Sequence, residues 1–402
     1  FGSSVKRCAF FFLLVSSAMT IAYERRSTFS VFQHYYATVL PEVVPRVMVV
    51  GAVAVSVYMV QMHFDWVLHT SGLHVLGSFV GYFVIFRCSN TFMMYRRTEM
   101  VIADFRSTAL TLMSQGVDFM LGPDEGDDGT QKRDVLEGKV NVVRLVLAFA
   151  VLYKLHTRVA YHGYMRGRIE ADCKEQIVYD CARLRGLLRA DEFERVFAFL
   201  GFEFQLEDNG SDYYSVTTEP LPRPTTFLVA LLRQQFMKLA GKKHGYLERV
   251  LNLADSQISR LLKIYADTSQ TVMTPLPLPY CHLCRLLMVC FLLVYMTQLQ
   301  PRLGVVANIM VPMLLAFAFF GIDAIATEIE DPLGDDPSDL DTLTVISQLE
   351  LEGVALLKLH EDGALESFQF VAAPEAYQGV PRFLALSDNV QQVEAVVAKA
   401  PI

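Results

Sequence analysis

Seven carboxylates stand among the fourteen residues EIEDPLGDDPSDLD at 328–341. Carboxylates in such density can ligate a hard cation, move protons in catalysis, or simply hydrate a flank. Asp336 and Asp339, with Asp335 and Asp341 near them, are the candidate oxygen ligands for Ca2+. Their spacing is not that of an EF-hand loop, which closes its ligand series on a glutamate. Pro332 and Gly334 mark a turn just after a helix end. That is the wrong end of a helix dipole for negative charge, so a cation, or Arg and Lys of a neighbouring helix or subunit, is expected to hold the cluster.

Two further groupings have the residue types for chemistry. Cys281-His282-Leu283-Cys284 has the CxxC spacing of zinc and redox sites. It lacks a second ligand pair and opens an apolar helix, where a thiol packs as a small hydrophobe. Asp323 is the single charge in the apolar run 304–327. With Asp335 and Asp336 it offers an intramembrane aspartyl dyad, yet the other spans supply no second buried acid, and Asp323 lies near a helix end within reach of water. HExxH, P-loop and GxSxG motifs are absent, so the sequence reads as a non-enzyme. The hydrolase reading survives only as a third alternative, testable by Asp323→Asn on a labelled peptide.

The elements that position these groups are membrane helices. Of 402 residues, 52% are apolar and 19% charged, which is too apolar for an average soluble domain. The formal charge of −8 gives no basic field for nucleic acid. The seven cysteines do not form a disulfide framework. A crossing needs about 20 apolar residues, and four stretches qualify: 42–62, 72–95, 280–299 and 304–327. A fifth, 8–22, follows Lys6-Arg7 and has the length of a leader core. In a chain that begins at Phe1 it reads as a leader remnant or a retained helix. Arg25, Arg26, Arg96, Arg97 and Arg106 gather on one side of the spans, whereas the loop 63–71 has no Lys or Arg. The N-terminus, the middle region and the C-terminus are thereby assigned to the cytoplasmic face or its equivalent. Within the middle, apolar residues recur at helical spacing over 105–121, 135–155, 175–200 and 246–267. The Gly/Asp-rich stretch 122–134 reads as a loop, and strand alternation is scarce before 368–373.

Within 72–95, Ser78, Tyr82 and Phe86 recur every four residues, and Phe79 and Phe83 line the adjacent stripe. An aromatic face of this kind is either a packed helix contact or a pore wall. In a pore, apolar constrictions gate by dewetting, and ring edges carry the positive end of the quadrupole. Pro41 and Pro45 before the first span, and Pro275, Pro277 and Pro279 before the third, form rigid elbows.

Taken in order, TVLPEVVPRV, FR-x-SNT-F, TPLPLPY and EIEDPLGDDPSDLD resemble the bestrophin family of anion channels, in its bacterial and chloroplast-like branch. The likeness runs from about Tyr23 to about Glu350, the middle matching in helical layout only. The resemblance implies an all-α polytopic membrane protein with four transmembrane helices and a large helical extension on one face, assembling as a homopentamer around a central pore. It implies a pore neck at Ser78, Tyr82 and Phe86 beside Phe79 and Phe83, and a second constriction near Val250. Here a serine and a tyrosine replace apolar neck residues, and Tyr95, Arg96 and Arg97 stand where the family has tryptophans. Animal relatives bind Ca2+ at carboxylates matching Asp336 and Asp339. The implied function is passive conduction of chloride or bicarbonate through a lipid membrane, the thylakoid membrane in a photosynthetic host. The alternative is a non-conducting structural subunit of a larger membrane complex. The expected divisions are a leader-like segment 1–22, an elbow with two spans 23–98, a helical region 99–272, two spans 273–327, an acidic turn 328–350 and a tail 351–402.

Overall fold

In the computed structural model the described residues are 38–64, 72–121, 129–166, 168–169, 174–198, 202–206, 212–216, 223–240, 245–274, 276–300, 302, 304–333, 339–360, 364–372 and 382–399. The leader-like segment 1–22, Pro275, Asp335 and Asp336 lie outside them. The elements begin with α1 (Leu40–Phe64), α2 (Leu73–Asp118), α3 (Gly129–Arg166) and β1 (Arg168–Ile169). There follow α4 (Lys174–Leu187), α5 (Ala190–Ala198), β2 (Phe202–Leu206), β3 (Asp212–Val216), α6 (Pro224–Leu239) and α7 (Glu248–Met273). The chain continues with α8 (Leu278–Gln298), α9 (Val305–Glu328), α10 (Thr342–His360), β4 (Phe368–Val371), β5 (Phe383–Leu386) and α11 (Val390–Lys399). Helices dominate, as expected of an all-α chain. Among the described residues they are joined by one three-stranded antiparallel sheet in the order β1-β3-β2 and by the hairpin β4-β5.

The chain divides into two units. Among the described residues, one holds 38–98 together with Thr274–Leu340, and the other holds Glu99–Met273 and 341–399. The first contains the spans: α1, α2, α8 and α9 are long and apolar enough to cross a membrane. Small residues let α1 lie close along α9. Val43, Val47 and Ala54 meet Ala316 and Ala324, with Leu292 and Met296 of α8 filling in. A methyl added at Gly51 would sit 3.0 Å from the Met313 sulfur. Near the far end of α1, buried Gln61 donates to the Thr297 carbonyl at 2.9 Å. Leu73, Val80 and Val84 of α2 pack on Met288 and Phe291 of α8. Pro312 lies inside α9 and removes one helical N–H. The buried Asn308 amide, one turn earlier, donates to the carbonyls of Gly304 and Gln300 at 2.9 and 3.1 Å. Gly304 begins the helix at φ 85, a left-handed value that glycine takes without strain.

The second unit is built around α3. Its residues Val142–Leu155 are buried at almost every position, so the helix is enclosed rather than amphipathic. It packs in one core with Phe105–Val117 of α2 and with residues of α4, α6, α7 and α10. A helix enclosed to this degree must pair its charges. Arg144 of α3 grips Glu192 with two bonds of 2.6 and 3.1 Å and Lys154 of α3 meets Asp180 at 3.0 Å, while in the surrounding layer Arg183 of α4 meets Glu350 of α10 at 2.6 Å. Burial pushes the Glu192 carboxyl up, and the Arg144 bonds and charge more than offset it, leaving it below its usual range. Burial also pushes the Cys181 thiol up to about 12, so this cysteine stays protonated.

Three boundaries differ from the sequence reading. Residues 129–134, read as the end of a loop, form the first turns of α3, which begins at Gly129. The span 72–95 and the helix 105–121 are one helix, α2, because neither glycine nor proline interrupts RRTEMVIADF between them. Conversely, 175–200 breaks into α4 and α5. The Asn389 amide donates to the carbonyls of Arg185, in the last turn of α4, and of Leu188, just past its end, at 3.1 and 2.9 Å. Glu192 accepts the Arg189 N–H at 3.0 Å and starts α5.

Candidate functional site: the exposed aromatic face of α2 and its charged anchor

Helix α2 has two unlike faces over its first half. Val80, Val84, Arg87 and Thr91 are buried, while Ser78, Phe79, Tyr82 and Phe86 are exposed. Of the expected neck residues these four share the open side, and Phe83 turns partly inward. The Ser78 hydroxyl donates to the His74 carbonyl at 2.9 Å, so its proton is used within the helix. The rings of Tyr82 and Phe86 stack at 5.9 Å and 16°, nearly parallel. Tyr280, from the start of α8, meets Phe86 edge-on at 6.4 Å and donates its hydroxyl to the Phe83 carbonyl at 3.5 Å. This face offers ring edges and one phenol, and no formal charge between Ser78 and Phe86. Such a surface can pass an anion by edge contacts while leaving it weakly held.

Immediately behind Phe86 lies the charge. The Arg87 guanidinium, buried, donates to Asp323 Oδ1, to the Thr327 hydroxyl at 3.2 Å and to Glu330 at 3.4 Å. Asp323, also buried, accepts a second cation through Oδ2: Arg285 Nε lies 3.0 Å away, and Arg285 Nη2 reaches Thr327 at 3.0 Å. Glu330 uses its other oxygen to accept the Leu276 N–H at 3.2 Å, at the proline elbow that leads into α8. Two guanidiniums and two carboxylates thus balance across α2, α8, α9 and the turn after α9. A buried ion of this kind is tolerable only when paired.

The sequence reading left Asp323 without a partner and within reach of water. The structure buries it between two arginines. Arg87, Asp323 and Arg285 each interrupt an apolar span as an isolated charge, and that coincidence was the signal available in the sequence. Among the described residues the charged side chains bonded to Asp323 are cations, and Asp335 and Asp336, its expected dyad partners, lie outside them.

The remaining candidates lie elsewhere. Cys281 and Cys284 are free thiols in the first turns of α8. Asp339 is buried, and Asp336 lies outside the described residues. Among the described residues no group of three or more His, Cys, Asp or Glu gathers as a metal site. Asp339 suits a hard cation chemically; Ca2+ takes about six to eight oxygens, and the neighbouring carboxylates Asp335 and Asp336 lie outside the described residues. Val250, in the first turn of α7, is half-buried against the core of the second unit, beside the exposed Leu247.

Three comparisons bear on this geometry. Residues 214–352 match the family described as Bacterial/Fungal Bestrophin protein. A voltage-dependent anion channel-forming protein of Nostoc sp. is 29% identical over 206 residues, which are 51% of this chain and 53% of that protein. The chain therefore spans about half the length of the curated relative it matches. Among solved structures, a bacterial bestrophin homologue from Klebsiella pneumoniae superposes with a TM-score of 0.60 at 16% identity, covering 81% of this chain and 100% of that one. A variant of the same homologue superposes at 0.61, also at 16% identity, over 79% of this chain and 99% of its own. At that identity the likeness is one of fold.

Proposed function

We propose that the chain is a subunit of a bestrophin-type anion channel, a reading supported by the fold it shares with bacterial bestrophins and by the family match across residues 214–352. It conducts chloride or bicarbonate down its gradient through a homopentameric pore. The observation that carries this reading is the two-faced α2: an exposed, uncharged aromatic stripe whose opposite side is fixed by the buried Arg87–Asp323 pair. In a ring of five copies, Ser78, Tyr82 and Phe86 line the neck, Phe79 and Phe83 pack around it, and Val250 narrows the path further along. The relative that forms a voltage-dependent anion channel supports the ion class.

The physical role of each part is simple. Aromatic edges lower the cost of shedding water from an anion without binding it tightly, so the ion leaves as readily as it enters. The phenol of Tyr82 adds one O–H donor that an aliphatic neck lacks. Arg87 does not face the stripe. Its task is to hold the helix in rotation, and its charge is cancelled locally by Asp323. No bond is made or broken. Ca2+ at Asp339 and Asp336, and residence in a thylakoid membrane, are part of the same proposal and are tested separately, by calcium titration of the current and by fractionation. The primary test is flux from liposomes holding the purified protein, with chloride, bicarbonate or a bulky organic anion inside. The expected result is loss of the two small anions and retention of the large one. Equal loss of all three, or none from well-folded pentamers at any calcium level or voltage, contradicts the proposal.

A further inference from the structure

Between α1, α8 and α9 lies a cavity of about 310 Å3 whose lining is aliphatic or aromatic except at one place. Val50, Val53, Leu292, Met296 and Phe320 form its walls, and Arg46 stands at its α1 end. Arg46 and Val53 are seven positions apart, so the groove runs about 10 Å along α1 away from the cation, at 1.5 Å per residue. All its walls belong to helices long and apolar enough to span a membrane. A groove that is apolar along its length and cationic at one end matches one ligand chemistry. That is an anionic phospholipid, its acyl chain between the helices and its headgroup at Arg46.

We propose that this groove is a binding site for an anionic phospholipid. Arg46 is 42% exposed at its side chain and lies in the second turn of α1, on the side where Arg96 and Arg97 also gather. The interfacial end of a span is where a guanidinium meets lipid phosphate. Arg46 gives one nitrogen to Glu42 at 2.5 Å, one turn earlier. A guanidinium carries five N–H donors, so that bond leaves donors for a phosphate. Glu42 itself repels the headgroup and sets an upper limit on affinity. The lining residues take no part in the aromatic stripe of α2 or in the Arg87–Asp323 pair, so this site is separate from conduction.

The test is native mass spectrometry of the purified full chain titrated with phosphatidylglycerol and phosphatidylcholine of the same acyl chains. One juxtamembrane cation is worth about a fivefold preference for the anionic lipid. Arg46→Gln should reduce that ratio to unity, and Glu42→Gln should widen it. Val53→Phe, which fills the groove, should lower retention of both lipids. Melting temperature and oligomer mass confirm that each variant is folded, and Glu42→Gln, an exposed change, carries the test if Val53→Phe does not fold. An unchanged lipid ratio in Arg46→Gln overturns the proposal. So does efficient disulfide crosslinking of Val50→Cys to Val289→Cys between copies, which makes the groove a subunit contact.

Discussion

At the scale of single residues, the arrangement depends most on Asp323. It neutralises buried Arg87 and half-exposed Arg285 at once. Removing one partner of a buried pair leaves an uncompensated ion and costs about 3–5 kcal/mol. Asp323→Asn should therefore lower the unfolding midpoint in detergent sharply. Replacing Arg87 and Asp323 together by Met and Leu should recover most of the loss, because burying the pair is itself expensive. A mild single-variant effect would show that Arg87 is not held by Asp323. A second residue-scale consequence concerns pH. His156 meets the Tyr265 hydroxyl at 2.5 Å through Nδ1, and burial, reinforced by the Arg223 charge, lowers its pKa from 6.5 to about 4. The neutral form is the one the fold accepts. Its contribution to stability is complete above pH 6.5 and is lost as pH falls from 6.5 to about 4. His156→Gln should flatten the melting temperature across that window, and an unchanged acid slope would assign the loss to other groups. The isolated charges were visible in the sequence, but their pairing was not. Arg87 and Asp323 lie 236 positions apart, and no local pattern reports such a contact.

At the scale of elements, the four spans could be read directly, since a run of apolar residues with few charges has almost no alternative. The length of α2 could not. Its 46 residues extend about 69 Å at 1.5 Å per residue, well beyond the roughly 30 Å hydrocarbon layer. The amphipathic pattern changes midway, from a stripe that faces outward to one that faces the core of the other unit. Read locally, that change looks like two helices. Close packing of the second half is testable at Gly116, where an added methyl would fall 2.4 Å from Val142 Cγ1 and the carbonyl accepts the Tyr246 hydroxyl at 2.6 Å. Gly116→Ala should cost about 1–3 kcal/mol by overpacking, read as a lower midpoint in denaturant. A neutral result would mean that α2 and α3 separate freely there. The small sheet β1-β3-β2, whose strands are two to five residues long, escaped the sequence reading. Strand β2, Phe202-Glu203-Phe204-Gln205-Leu206, does alternate strictly and was legible on its own, whereas β1 is too short and β3, Asp212-Tyr213-Tyr214-Ser215-Val216, does not alternate.

At the scale of the whole molecule, the likeness in fold and the likeness in sequence cover different stretches. The fold is shared with bacterial bestrophins over most of the chain, whereas the family match covers 214–352 and thus leaves out the stripe on α2. The channel reading therefore stands on Ser78, Tyr82 and Phe86 themselves. The most direct test is to measure anion flux and the chloride-to-sodium permeability ratio in liposomes for the wild type, Tyr82→Ala and Phe79→Ala, each shown to be pentameric by native mass. The account predicts anion-selective flux in the wild type, an altered rate and ratio in Tyr82→Ala, and a smaller change in Phe79→Ala, which lies beside the stripe. Flux that is indifferent to Tyr82, or a wild-type chain that does not assemble as a pentamer, would contradict it.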